Sequence, residues 1–138
     1  MPLESPVHAL ALWAGLHILL LLVLAALVIR IRRRERIGLG DGGNPALARA
    51  IRVFGNAVEY AAPALIGMAV LVMVGAGALL IHLCGALMLT GRALHAFGLT
   101  RTSGASRARL GGMLLTLGAW LLIGLSLLAL AFSSPVLV

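Results

Sequence analysis

The sequence predicts an all-α protein, a four-helix transmembrane bundle with up-down antiparallel topology. Three observations carry this expectation. Of its 138 residues, 62% are hydrophobic and only 11% are charged, far from the balance of a soluble domain. The apolar residues fall into successive stretches of membrane-crossing length. The arginines gather at the ends of those stretches, where membrane proteins place them. Spans are expected at about 7–31, 45–75, 79–97 and 108–132, within a single domain covering residues 1–138.

Charge and cysteine content narrow the function classes. The net charge is +7, and all 11 basic residues are arginines. A soluble protein this basic would be a nucleic-acid candidate, but aromatic residues that stack on bases make up only 4% of the chain. A lone cysteine, Cys84, excludes an intramolecular disulfide and any multi-cysteine metal site, and its apolar surroundings predict a packing role.

The first span, Val7 to Ile31, is too long for the apolar region of a signal peptide, and its MPLESP flank carries no basic residue. It is therefore expected to remain as a membrane helix, closed by Arg30, Arg32, Arg33, Arg34 and Arg36. His8 is expected at the interface, and His17 in helix packing. Ile37 to Asn44 forms a flexible reversing turn. Its Gly38, Gly40 and Gly43 spell GxGxxG, but no strand precedes them, so a dinucleotide fingerprint is excluded.

The second span is the informative one. Asn44-Pro45 is a helix start, with Asn as cap and Pro in the first turn, where its missing N–H costs nothing. Arg49, Arg52, Asn56, Glu59 and Pro63 then recur at helical spacing and share one face, with Tyr60 at its edge. The helix continues as an almost purely apolar stretch to Gly75. Glu59, the single acid in any expected span, needs a partner, and Arg49, Arg52 and Arg92 are the candidates. Breaking a buried pair of this kind costs roughly 3–5 kcal/mol. Such a basic cluster suits an anionic ligand, because the guanidinium fork binds carboxylates bidentately. Glu59 would receive an ammonium and Asn56 an amide.

Gly75 to Ala78 makes a tight uncharged turn. On the third helix Arg92 and His95 share a face near its end, and His82 is expected to pack through a hydrogen bond. Leu99 to Ala108 forms a second polar loop with Arg101 and Arg107, and Arg109 opens the fourth helix, whose apolar part begins at Leu110. Gly112, Gly118 and Gly124 are expected to allow close helix contact. Ser133-Ser134-Pro135 ends that helix. The first and third connections are rich in Arg and the second is uncharged, which predicts both termini on the non-cytoplasmic side. Four thin helices are not expected to enclose Arg52, Arg92 and Glu59 fully, so oligomerisation follows.

The run Arg52-x-x-x-Asn56-x-x-Glu59-Tyr60, followed by Pro63, resembles the signature of the MAPEG family, the membrane-associated proteins in eicosanoid and glutathione metabolism. The GDGGNP lead-in is similar to the bacterial branch, so a bacterial inner-membrane location is expected. The resemblance implies a homotrimer with each ligand site between neighbouring subunits. It implies glutathione as co-substrate, held by Arg52, Asn56, Glu59 and Tyr60. Arg32 looks like the ligand-contacting arginine at the end of the family's first helix. Arg92 and His95, in GRALH, resemble the GRxxH of its third helix. The family's thiol-activating arginine lies near the start of helix 4, where Arg107 and Arg109 straddle the position. One departure stands out: where relatives often carry Tyr one turn after the histidine, this chain has Leu99.

The implied activity is a glutathione-dependent transferase or peroxidase acting on lipophilic electrophiles. A glutathione- or lipid-binding protein of the same fold without turnover is the alternative. A small multidrug exporter, also a four-helix chain, would need an acid deep in helix 1, and none is present.

Overall fold

The computed structural model describes residues 4–102 and 104–133. Its helices are α1 (Pro6–Glu35), α2 (Pro45–Met73), α3 (Ala78–Arg101) and α4 (Arg107–Ser133). All of them are long and apolar enough to cross a membrane, and no strand occurs among the described residues. The expected stop at Ser134-Pro135 lies outside the described residues.

The helix ends follow local chemistry. Pro6 and Pro45 sit in the first turns of α1 and α2, and the Asn44 side chain accepts from the N–H groups of Ala46 and Leu47 at 2.9 and 3.1 Å. The α2 C-terminus closes in a Schellman arrangement: the N–H of Ala76 reaches the Leu71 carbonyl and that of Gly75 the Val72 carbonyl. Gly75 takes the left-handed backbone there, φ 88°, which a side chain would resist. The turn is thus Val74 to Gly77, one residue earlier than expected.

Two boundaries differ from expectation for physical reasons. Helix α1 runs through its arginines to Glu35, because charged side chains at a span end reach into water while the backbone stays helical. Helix α3 runs to Arg101 instead of Phe97, so Leu99 to Arg101 are helical and the polar loop is only 102–106. That last turn is held by the Thr100 hydroxyl on the Phe97 carbonyl at 2.8 Å and by Arg101 over the Phe97 ring at 4.2 Å. Leu99 packs in a buried cluster with Leu24, Val53, Ala57 and Ala96.

Helices α2 and α3 form the centre, each touching the other three, while α1 and α4 do not meet among the described residues. Close approach relies on glycines, on Gly112 as expected but on Gly91 and Gly85 in place of Gly118 and Gly124. A Cβ at Gly112 would lie 2.5 Å from the His95 nitrogen, and one at Gly91 would lie 2.7 Å from the Thr116 hydroxyl, so the α3 and α4 backbones nearly touch. Gly85 makes room for Trp13. Gly118 and Gly124 meet nothing within 4 Å inside the subunit.

The histidines of the membrane interior pack as expected. Trp13 donates Nε1–H to Nδ1 of His82 at 3.0 Å, and Nδ1 of His17 lies 2.7 Å from the Trp13 carbonyl. Cys84 is fully buried in the apolar core, and His8 is exposed.

Candidate functional site

The polar stripe of α2 spans an arc of about 100°, from the 100° advance per helical residue. The structure divides that arc among different surroundings. Asn56 and Tyr60 turn toward α3 and α4. Arg52 and Glu59 are more than half exposed, on the side facing the first connection. Arg49 faces a separate cleft beside α1.

The inward part is a polar node centred on Arg92. Arg92 is 1% exposed in a helix of apolar neighbours. Its Nη1 donates to Asn56 Oδ1 at 2.9 Å, and its Nε and Nη2 donate to the Thr116 hydroxyl at 2.9 and 2.6 Å. Thr116 passes its own proton to the Gly112 carbonyl at 2.8 Å. The Tyr60 ring lies 4.7 Å beneath the guanidinium and stacks at 5.2 Å on Trp120, which donates to the Tyr60 carbonyl at 3.2 Å. The node therefore ties α2, α3 and α4 together, and one subunit encloses Arg92 by itself, contrary to the expectation that four helices would leave it open. Arg92 does not reach Glu59. His95, 7% exposed, sits one turn further along α3 against Gly112.

The outward part is an ion pair. Arg52 Nη1 lies 3.7 Å from Glu59 Oε1, and the two side chains are 66% and 57% exposed. This pair, Gly55, and Gly40 and Asp41 of the first connection line a cleft of about 410 Å³. Glu59 is at the middle of α2, about 21 Å along it from the first residue by helical rise. It lies about 10 Å further along α2 than Arg52. Pro63 offers no N–H to the Glu59 carbonyl one turn before it.

The first connection is built, not slack. Arg36 takes a left-handed conformation at φ 56°, and the Ile37 N–H returns to the Arg32 carbonyl. Arg32 donates through Nη1 to the Gly40 carbonyl at 2.8 Å, and Asp41 accepts from the Gly43 N–H at 2.9 Å. Arg32 thereby fixes the loop that forms one wall of the Arg52–Glu59 cleft.

The two arginines opening α4 differ in surroundings. Arg109 donates its backbone N–H to the Ser106 hydroxyl at 3.2 Å, completing an N-terminal cap, and its guanidinium donates to the Gly104 carbonyl. It also packs against Gly98 of α3. Arg107 is exposed.

Sequence reasoning missed Thr116, Trp120 and Asp41. Thr116 carries a usable signal: a hydroxyl one turn after Gly112 in an otherwise apolar helix implies a buried polar partner.

The family model for the MAPEG family matches residues 10–129. The chain is 43% identical over 88 residues to "Inner membrane protein YecN" of Escherichia coli strain K12, covering 64% of this chain and 67% of that protein. The protein of the same name from Escherichia coli O6:H1 is equally similar over the same share of each chain.

Proposed function

The chain belongs to the MAPEG family, and on that premise we propose that it is an inner-membrane, glutathione-dependent transferase or peroxidase acting on lipophilic electrophiles. The observation that carries this reading is the Arg52–Glu59 pair, more than half exposed on a face that the chain's own helices leave open, with Glu59 at mid-helix. An ionised Glu59 carboxylate facing lipid there would be costly. A neighbouring subunit covering that face, in a homotrimer, relieves the cost and turns the cleft into a pocket between subunits.

The pair is matched to a zwitterionic end group. A ligand carboxylate takes the Arg52 fork and its ammonium takes Glu59, so each ion exchanges one partner for another. Asn56 has spent its Oδ1 on Arg92, which leaves its NH₂ to donate to a ligand amide carbonyl. Glutathione has this set of groups together with a thiol. Arg32 positions the loop wall, and Arg92 positions Asn56 and Tyr60.

The thiol end needs a cation. A free thiol with pKa of about 8.5 is mostly protonated at neutral pH, and a lowering of two units corresponds to about 2.7 kcal/mol. Arg107 is assigned as the activator, because it is exposed while the Arg109 guanidinium is engaged on Gly104. The thiolate sulfur forms a bond to the electrophilic carbon, and the leaving group departs with the electron pair. An apolar electrophile arrives laterally from the bilayer, which accounts for a membrane location.

Binding without turnover is the second reading, favoured by Leu99. That position is 9% exposed and packed in the apolar cluster, so it supplies no phenol to a reaction. Retention of the detergent-solubilised protein on immobilised glutathione tests both readings, and turnover of a chlorodinitrobenzene-type electrophile separates them. Failure of retention removes both.

A further inference from the structure

Arg49 stands apart from the polar residues used above. It lines a cleft of about 600 Å³ between α1, the start of α2 and the end of α3, which shares no lining residue with the Arg52–Glu59 cleft. The walls are apolar: Leu24, Leu27 and Ile31 from α1, and Ala50 and Val53 from α2. No acid is among the lining residues. We propose that this cleft binds an anionic phospholipid of the membrane, with one acyl chain between α1 and α2 and the phosphate on Arg49.

Several observations converge on that occupant. The volume and the ratio of apolar wall to polar group are those of a small-molecule site. Among the described residues Arg49 makes one weak contact, Nη1 to the Thr100 carbonyl at 3.5 Å, which leaves most of its donor fork available. Asn44, at the mouth, is neutral and has its side-chain oxygen engaged by Ala46 and Leu47, so none of the described lining residues is an anion. A phosphate answers the free part of the guanidinium fork bidentately. Position selects a lipid over a soluble anion. Leu27 is 39% exposed and continues onto the outer face of α1, so a chain enters sideways from the bilayer. Arg49 lies one turn into α2, at the bundle end that carries Arg30 to Arg34, where phospholipid headgroups lie. The site is independent of the thiol reading.

The test uses the full chain in nanodiscs of phosphatidylcholine containing phosphatidylglycerol with a photoactivatable acyl chain. Labelled peptides should map to residues 24–31 and 45–53. Arg49→Gln should cut labelling about fivefold, the scale of one basic residue's attraction to an anionic headgroup. Arg33→Gln, at an exposed position of the same basic end, should leave it nearly unchanged. Ala50→Leu fills the cleft with the charge retained and should also cut labelling, so the proposal stays testable if Arg49→Gln fails to fold. An equivalent phosphatidylcholine probe should label the cleft weakly. Label spread over the outer faces, equal losses in Arg33→Gln and Arg49→Gln, or equal labelling by both probes would overturn the proposal. So would better displacement by oleate than by phosphatidylglycerol, or crosslinks showing a neighbouring subunit's helix in the cleft.

Discussion

Arg92 and Thr116 are joined by two hydrogen bonds to one hydroxyl oxygen, from Nε at 2.9 Å and from Nη2 at 2.6 Å, in the interior of the bundle. The cation's other described partners are the Asn56 amide oxygen and the Tyr60 ring, so a buried charge is held by neutral groups from two other helices. Thr116→Val keeps the shape and removes the acceptor. It should destabilise the protein by roughly 1.5–3 kcal/mol, the range for hydrogen bonds to a charged group. Thr116→Ser should restore most of that loss, measured by thermal unfolding in detergent.

The α3–α4 crossing predicts a contrast between two glycines on one helix. Gly112→Ala places a methyl against His95 and Gly91 backbone atoms, which have nowhere to move. The cost should be about 1–3 kcal/mol from overpacking. Gly118→Ala meets nothing within 4 Å in the subunit and should leave the unfolding temperature unchanged or slightly raised.

The fold was legible in the sequence because hydrophobic length and arginine placement report directly on a bilayer. The expected arc of α2 was also legible, since Arg52, Asn56 and Glu59 do lie along one helix at helical spacing. What the spacing did not reveal was how an arc about 100° wide divides. Arg52 and Glu59 fall outside, Asn56 and Tyr60 inside, because neighbouring helices cover only one edge. Nor did it reveal the partner of Arg92, since helix packing registers α3 against α4 through Gly91 and Gly112, and sequence separation carries no such register. The end of α3 was misplaced for a related reason: Thr100 and Arg101 look like loop residues until the Phe97 contacts that keep them helical are seen.

The exposed α2 face predicts subunit association. Native mass spectrometry in mild detergent should record a trimer, and a cysteine introduced at exposed Ala62 should crosslink between subunits. Monomers alone at all detergent concentrations would remove the reason given for placing the ligand cleft at a subunit boundary.

The two arginines of the α4 start should separate in function. Arg107→Ala should raise the pKa of bound thiol and lower turnover by about 10²-fold, the scale of one lost charge-stabilising donor, with ligand affinity little changed. Arg109→Ala should lower stability, because its guanidinium ties the 102–106 connection through Gly104. Titrating thiolate absorbance against pH in each variant distinguishes activator from anchor. A thiol titration unmoved by Arg107→Ala would shift the assignment to Arg109.

The central claim is that Arg52 and Glu59 hold the zwitterionic end of a glutathione-like ligand. Equilibrium binding of glutathione and of its analogue lacking the amino group, to the native protein and to Glu59→Gln, tests it as a cycle. The native protein should bind glutathione and lose about tenfold or more for the analogue, with Glu59→Gln binding both equally weakly. An equal penalty for the analogue on both proteins, or no glutathione binding by a folded native trimer, would contradict it.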